Sequence, residues 1–127
     1  MMRLFLSIIM STVILSACAL PAIFGEEDGE MIVDENIIES SYVNYRGIMV
    51  NDREMVTTIP LEVNSSASYE ITRSSYISYY DGLTFLETEL FTGGDFPKSV
   101  EMPEETTHVR VSFNEVNRES IQLNKVE

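Results

Sequence analysis

Thr107-His108-Val109-Arg110-Val111-Ser112-Phe113 is the stretch on which the fold turns. Apolar and polar side chains alternate along it, and in an extended chain successive side chains point to opposite faces. Val109, Val111 and Phe113 therefore share one face, which belongs in a core. His108, Arg110 and Ser112 share the other. Outward from this stretch the composition stays of one kind: segments rich in Val, Ile, Thr, Tyr and Phe, separated by turn formers. Strands are expected at residues 42–45, 55–63, 68–73, 75–80, 84–90, 99–102, 107–113 and 120–126. In the last of these Ile121 and Leu123 repeat the alternation, and this strand is expected to close one sheet. Pro60 has no N–H for a ladder, which demotes 55–63 to an edge strand or splits it at a bulge. Tyr80-Asp81-Gly82-Leu83 is the clearest turn, because Asp-Gly tolerates the positive φ of a tight hairpin. Residues 91–97 read as a loop, and no segment has the pattern of a helix of convincing length. The expected fold class is all-β: a small antiparallel β-sandwich of jelly-roll-like form.

The other end of the chain has a different character. Met1-Met2-Arg3 is basic, and residues 4–15 are apolar apart from Ser7, Ser11 and Thr12. A basic start, a short apolar run and small residues at a cut site describe a secretory signal peptide. The run is too short to span a bilayer as a helix, and Pro21 argues against its continuation. Leu15-Ser16-Ala17-Cys18 then resembles the lipobox of bacterial lipoproteins. The resemblance implies that Cys18 receives a diacylglyceryl group, that residues 1–17 are cleaved away, and that Cys18 becomes the lipidated first residue. The chemistry fits the residue types. Small Ser16 and Ala17 let the backbone enter a peptidase cleft, and the thiol is the nucleophile that takes the lipid. An ordinary secretory cut near Ala17, leaving a free thiol, is the alternative.

Between this leader and the β-rich region, residues 19–41 carry Glu26, Glu27, Asp28, Glu30, Asp34, Glu35 and Glu39, and no base. With Gly25 and Gly29 this reads as a flexible, self-repelling spacer. Met31-Ile32-Val33 and Ile37-Ile38 have two options: to dock on the domain, or to form a short first strand. The changeover from spacer to domain falls between Asn36 and Tyr42. The organisation is thus 1–17 signal peptide, 18–41 lipidated Cys with acidic linker, and 42–127 β-sandwich domain.

The formal charge of the 127-residue chain is −13. Nucleic-acid binding calls for the opposite sign, so it is not expected. Simple attraction to an anionic bilayer is equally disfavoured. Cys18 is the only Cys, so no internal disulfide forms and the fold must hold by its core. Apolar residues at 44% suffice for one small domain.

From Tyr42 onward the chain is similar to a family of small β-sandwich modules found in phage tail and baseplate appendages and in Gram-positive surface proteins. The features that carry the likeness come in order. Thr57-Thr58-Ile59-Pro60-Leu61 is followed by Ser68-Tyr69-Glu70-Ile71, and then by Ile77-Ser78-Tyr79-Tyr80-Asp81-Gly82-Leu83-Thr84-Phe85-Leu86. Val100-Glu101-Met102-Pro103-Glu104 precedes His108-Val109-Arg110-Val111-Ser112-Phe113, and Ile121-Gln122-Leu123 closes the set. Arg110 falls at the Arg of that family's penultimate strand. The lead into this strand, Thr106-Thr107-His108, departs from the family's pattern, and the loop at 91–98 is shorter. The resemblance implies a sandwich, and a sandwich hosts many functions.

Candidate ligand-binding residues are Tyr76, Tyr80 and Arg110. Alternation sends Tyr76, Ser78 and Tyr80 one way and Ile77 and Tyr79 the other. Aromatic rings on a sheet face stack on sugars, but they also fill cores. Arg110 has two roles open to it: bidentate capture of a carboxylate or sugar acid, or a hold on a neighbouring strand through an acid or a carbonyl. His108, the only His, reads as a partly exposed strand residue. No metal cluster, cofactor motif, phosphate loop or Gly-x-Ser-x-Gly is expected. A Ca²⁺ site assembled from separate loops stays open, and so do paired carboxylates for glycoside hydrolysis. The small domain leaves little room for a catalytic cleft, however, and no catalytic residue is assigned.

The expected function is that of a non-enzymatic lipoprotein held by Cys18 on the extracytoplasmic face of the cell membrane. Its β-module would bind a cell-wall or surface glycan, or a surface protein. The alternative is a structural or regulatory envelope lipoprotein, prophage-derived, that modulates another envelope component.

Overall fold

The computed structural model describes residues 30–126. The expected signal peptide, Cys18 and the first part of the expected acidic linker lie outside the described residues. Among the described residues, eleven strands are all antiparallel to their partners. In chain order they are β1 Ile37–Ile38, β2 Ser41–Val43, β3 Met49–Asn51, β4 Met55–Thr58, β5 Leu61–Glu62 and β6 Ser68–Ile71. Then follow β7 Ser75–Asp81, β8 Thr84–Phe91, β9 Lys98–Val100, β10 His108–Asn114 and β11 Leu123–Val126. Single 3-10 turns at Asp34–Asn36 and Glu115–Asn117 are the only helical elements among the described residues. No helix there is long and apolar enough to cross a membrane.

The strands form a six-stranded sheet ordered β8-β7-β10-β4-β1, in which β5 also pairs with β10, a three-stranded sheet ordered β9-β6-β11, and the β2–β3 hairpin. The stretch that opened the sequence reading is the central strand of the larger sheet. Its alternation is realised on one side: Val109, Val111 and Phe113 are buried with Ile77 and Tyr79 of β7. The smaller sheet supplies Tyr69, Ile71, Val100 and Leu123 to the same apolar cluster, with Ile121 just before β11. Each such side chain contributes roughly 1.5–3 kcal/mol when fully buried. The last strand pairs with β6 and lies at an edge of the smaller sheet.

Pro60 splits the expected 55–63 strand, as its missing N–H requires. Ser112 pairs with Thr57 and Val109 with Leu61, so Arg110 and Val111 face the three residues Thr58, Ile59 and Pro60. Side chains replace the lost ladder bonds at this bulge. The Val111 N–H donates to Thr58 Oγ1 at 3.0 Å, and Arg110 Nε donates to the Thr58 carbonyl at 3.0 Å. Turned away from β10, the Ile59 N–H donates to the Asn36 carbonyl at 2.8 Å.

The expected strand at 42–45 is instead one arm of a hairpin, and its other arm, β3, was not anticipated. Asn44 organises the turn: its Oδ1 accepts from the N–H groups of Arg46 and Ile48. Upstream, Ile32 is buried in the core and Ile37–Ile38 pairs with β4. The folded unit therefore includes residues N-terminal to Tyr42. Gln122 clamps this segment, accepting from the Ile32 N–H at 3.3 Å and donating to its carbonyl at 2.8 Å. Arg118 binds both Glu39 carboxylate oxygens and Asp34 Oδ1. Its hydrogen bonds hold the Glu39 carboxyl below the usual carboxylate range.

Candidate functional site

The face of β7 and β10 that turns away from the core is partly covered. The β2–β3 hairpin lies across its middle, and hydrogen bonds join it to the strands beneath. The Val43 N–H donates to Ser112 Oγ at 3.0 Å, and Thr88 Oγ1 donates to the Asn44 carbonyl at 3.0 Å. Ser78 Oγ bonds Thr88 Oγ1 at 2.8 Å, and Ser112 Oγ donates to Thr57 Oγ1 at 2.9 Å. Gly47 is in the left-handed region and sits on the Phe85 ring, where a Cβ would fall 2.5 Å from Cγ. Ser78, Ser112 and Thr57 are consequently at 0% exposure. Alternation alone places Ser112 on an open face; the hairpin closes it.

This cover separates the two candidate tyrosines. Tyr76 packs against Tyr42 and Tyr45, with ring centroids 6.1 and 5.7 Å apart and interplanar angles of 32° and 78°. Three rings at such angles form a cluster, not a flat platform. Tyr80 lies on the other side of the hairpin, edge-to-face with Phe85 at 5.7 Å and beside the Arg110 guanidinium. The structure therefore brings Tyr80 and Arg110 together and leaves Tyr76 in a separate group.

The register completes the first group. Phe85 pairs with Tyr80, Tyr80 with His108, and His108 with Glu62, so these four form a row across β8, β7, β10 and β5. Arg110 stands two residues from His108 on the same face. Phe85, Tyr80, His108 and Arg110 are all half-buried, and Glu62 is exposed. Burial raises the Tyr80 hydroxyl pKa, and the neighbouring guanidinium opposes that rise. His108 Nδ1 bonds Thr107 Oγ1 at 2.9 Å, and that hydroxyl also accepts from the Gly82 N–H at 2.7 Å. Thr107 thus pins the β7–β8 turn beside the row. Phe85 and His108 were not singled out from sequence as binding residues. The signal for them was the cross-strand register, which one chain's pattern does not supply.

A shallow depression at the far end of β10 is lined by Arg53, Glu54, Asn114, Glu115 and Val116. Among the described residues, no group of three His, Cys, Asp or Glu side chains converges as a metal site would require. No family model, curated protein or solved structure matches this chain.

Proposed function

We propose that this chain is a lipid-anchored extracytoplasmic protein whose β-module is a non-catalytic binding unit for a cell-wall or surface glycan. The observation that carries the reading is the half-exposed row of Phe85, Tyr80 and His108 with Arg110 beside it. Aromatic rings offer apolar faces to sugar C–H groups, and a guanidinium and an imidazole offer fixed polar partners. One apolar cluster shared by the six- and three-stranded sheets supports reading the fold as a small sandwich of jelly-roll-like form.

The anchor rests on the lipobox at Leu15-Ser16-Ala17-Cys18. Because Ile32 is part of the core, the spacer is confined to the residues between Cys18 and Met31. Fully extended, residues 19–30 reach about 40 Å. The module therefore works close to the bilayer, within the innermost wall layer. Two acyl chains on Cys18 hold it there stably, since each buried methylene contributes about 0.8 kcal/mol.

Two measurements test this. Cys18→Ala is expected to move the protein from the membrane fraction to the soluble one; retention in the membrane would end the lipoprotein reading. A glycan array probed with the full chain, run beside a pull-down from surface extracts, is expected to give glycan signal that Tyr80→Ala removes. Capture of a protein with a blank array would replace the glycan by a protein ligand.

A further inference from the structure

We infer that the Tyr80–Arg110–His108 group selects sugars that carry a carboxylate. This rests on the glycan-binding reading above and narrows it to one ligand class.

The inference starts from charge. The chain holds 21 acidic residues against 8 Lys and Arg, so a cation has many carboxylates to choose from. Arg118 takes two of them. Arg110 takes none: among the described residues no carboxylate lies within 4.0 Å of its guanidinium. Glu62 is in the neighbouring row but pairs in register with His108 and makes no ion pair with either residue. A half-buried cation without a counter-charge has lost part of its hydration with no Coulombic return. Arg110 is therefore the cation at which a ligand carboxylate gains most.

Geometry adds direction. Nε is fixed on the Thr58 carbonyl at the bulge, so the plane of the guanidinium is set before any ligand arrives. Beyond that bond its side-chain partner is the Tyr80 hydroxyl, and no carbonyl or carboxylate of the described residues accepts from its Nη atoms. A planar fork held in this way suits a carboxylate more than a hydroxyl, because two parallel charge-assisted bonds form together. His108 stands two residues along the strand with Nδ1 engaged by Thr107, which leaves Nε2 for a second oxygen of the ligand. The Tyr80 ring supplies the apolar wall for the pyranose, backed at 66° by the Phe85 ring that Gly47 covers. The surrounding acids restrict the class further. Glu62 and Asp81 flank the row, and the chain carries −13 overall, so a polyanion is repelled more strongly than a sugar with a single carboxylate.

The test uses the full chain, purified from membranes in detergent. A panel of glucuronate-, galacturonate-, sialate- and muramate-containing oligosaccharides is titrated by calorimetry. Each is paired with its own form in which the carboxylate is reduced to the alcohol. Acid forms are expected to bind at least about tenfold tighter than their reduced partners, the ratio expected of a hydrogen bond to a charged group. Arg110→Lys is expected to erase most of that ratio, lowering the affinity for the acid forms far more than that for the reduced sugars. Arg110 also holds the bulge, so thermal unfolding of this variant is measured in parallel. His108→Gln, which leaves the bulge untouched, is the second variant and is expected to lower acid-form affinity several-fold. If no acid form binds tighter than its reduced partner while glycans still bind, carboxylate selection is overturned and the glycan reading stands. If no glycan of any kind binds, both fall together.

Discussion

On the inner face of the six-stranded sheet, Val109, Val111 and Phe113 share an apolar cluster with Ile71 and Leu123, and none of these side chains needs a polar partner. On the outer face of the same strands, Ser112, Thr57 and Ser78 are buried just as deeply beneath the β2–β3 hairpin, Thr88 is half-buried, and hydrogen bonds join the layers. The two seals differ in how they tolerate error. An apolar interface loses stability in proportion to the area removed, whereas a buried hydroxyl without its partner costs the full desolvation of the group left behind. The polar seal also leaves gaps: Tyr45 is 58% exposed and Ile48 51% at the hairpin tip. The open row beside Tyr80 exists because the hairpin covers the middle of the face and not its end.

The largest expected effect is on the inner seal. Phe113 is 1% exposed in the shared cluster, and Phe113→Ala is expected to destabilise by about 3–5 kcal/mol in chemical denaturation. A loss below about 1 kcal/mol would mean that the two sheets do not share one core.

Next comes the outer seal. Gly47 has φ +77° and no room for a Cβ above Phe85. Gly47→Ala is expected to cost about 2–3 kcal/mol through left-handed strain and overpacking. If the hairpin is a separate layer, the loss appears as faster hydrogen exchange at the Val43 and Ile48 amides while the Ile77 and Val111 amides stay protected. Uniform loss of protection would show one cooperative unit and remove the distinction between the two seals.

A smaller change isolates the polar chemistry. Ser112 Oγ accepts from Val43 and donates to Thr57. Ser112→Ala is expected to cost about 1–2 kcal/mol, because the buried Val43 N–H loses its acceptor. Ser112→Ala combined with Thr57→Val is expected to cost less than the sum of the two single changes, a double-mutant result that strict additivity would contradict.

The same contrast explains what was legible in the sequence. The inner face was readable because Val109, Val111, Phe113, Ile77 and Tyr79 follow a period of two, and burial of apolar side chains obeys that period. The strand break at Pro60 was readable because it follows from a missing donor. The hairpin was not: Met49-Val50-Asn51 is short, and its partner face is made of Ser and Thr, which are written the same whether they face water or another layer. Tyr76 and Tyr80 share a parity in the sequence, and only the layer between them assigns them to different groups. Arg110 kept two roles open, and the structure places its Nε on a carbonyl and its guanidinium beside Tyr80.

Tyr79 tests where the inner seal stops being apolar. Its ring is fully buried, yet its hydroxyl donates to Glu89 Oε1 at 2.8 Å near the sheet edge. Burial, and then the hydrogen bond to that carboxylate, raise its pKa well above the ordinary 10.0. A group whose pKa is higher folded than unfolded stabilises the fold fully below its unfolded value. That contribution is lost as pH rises toward the folded value. The protein is therefore expected to lose stability progressively above about pH 10, where unfolded tyrosine ionises. Tyr79→Phe removes this term: at neutral pH it should cost about 1 kcal/mol for the lost hydrogen bond, and its stability should fall less steeply above pH 10. The two proteins differ only at this residue, so the difference between the two alkaline slopes belongs to Tyr79. Parallel slopes would place the Tyr79 hydroxyl in water and make the inner face apolar only as far as Ile77.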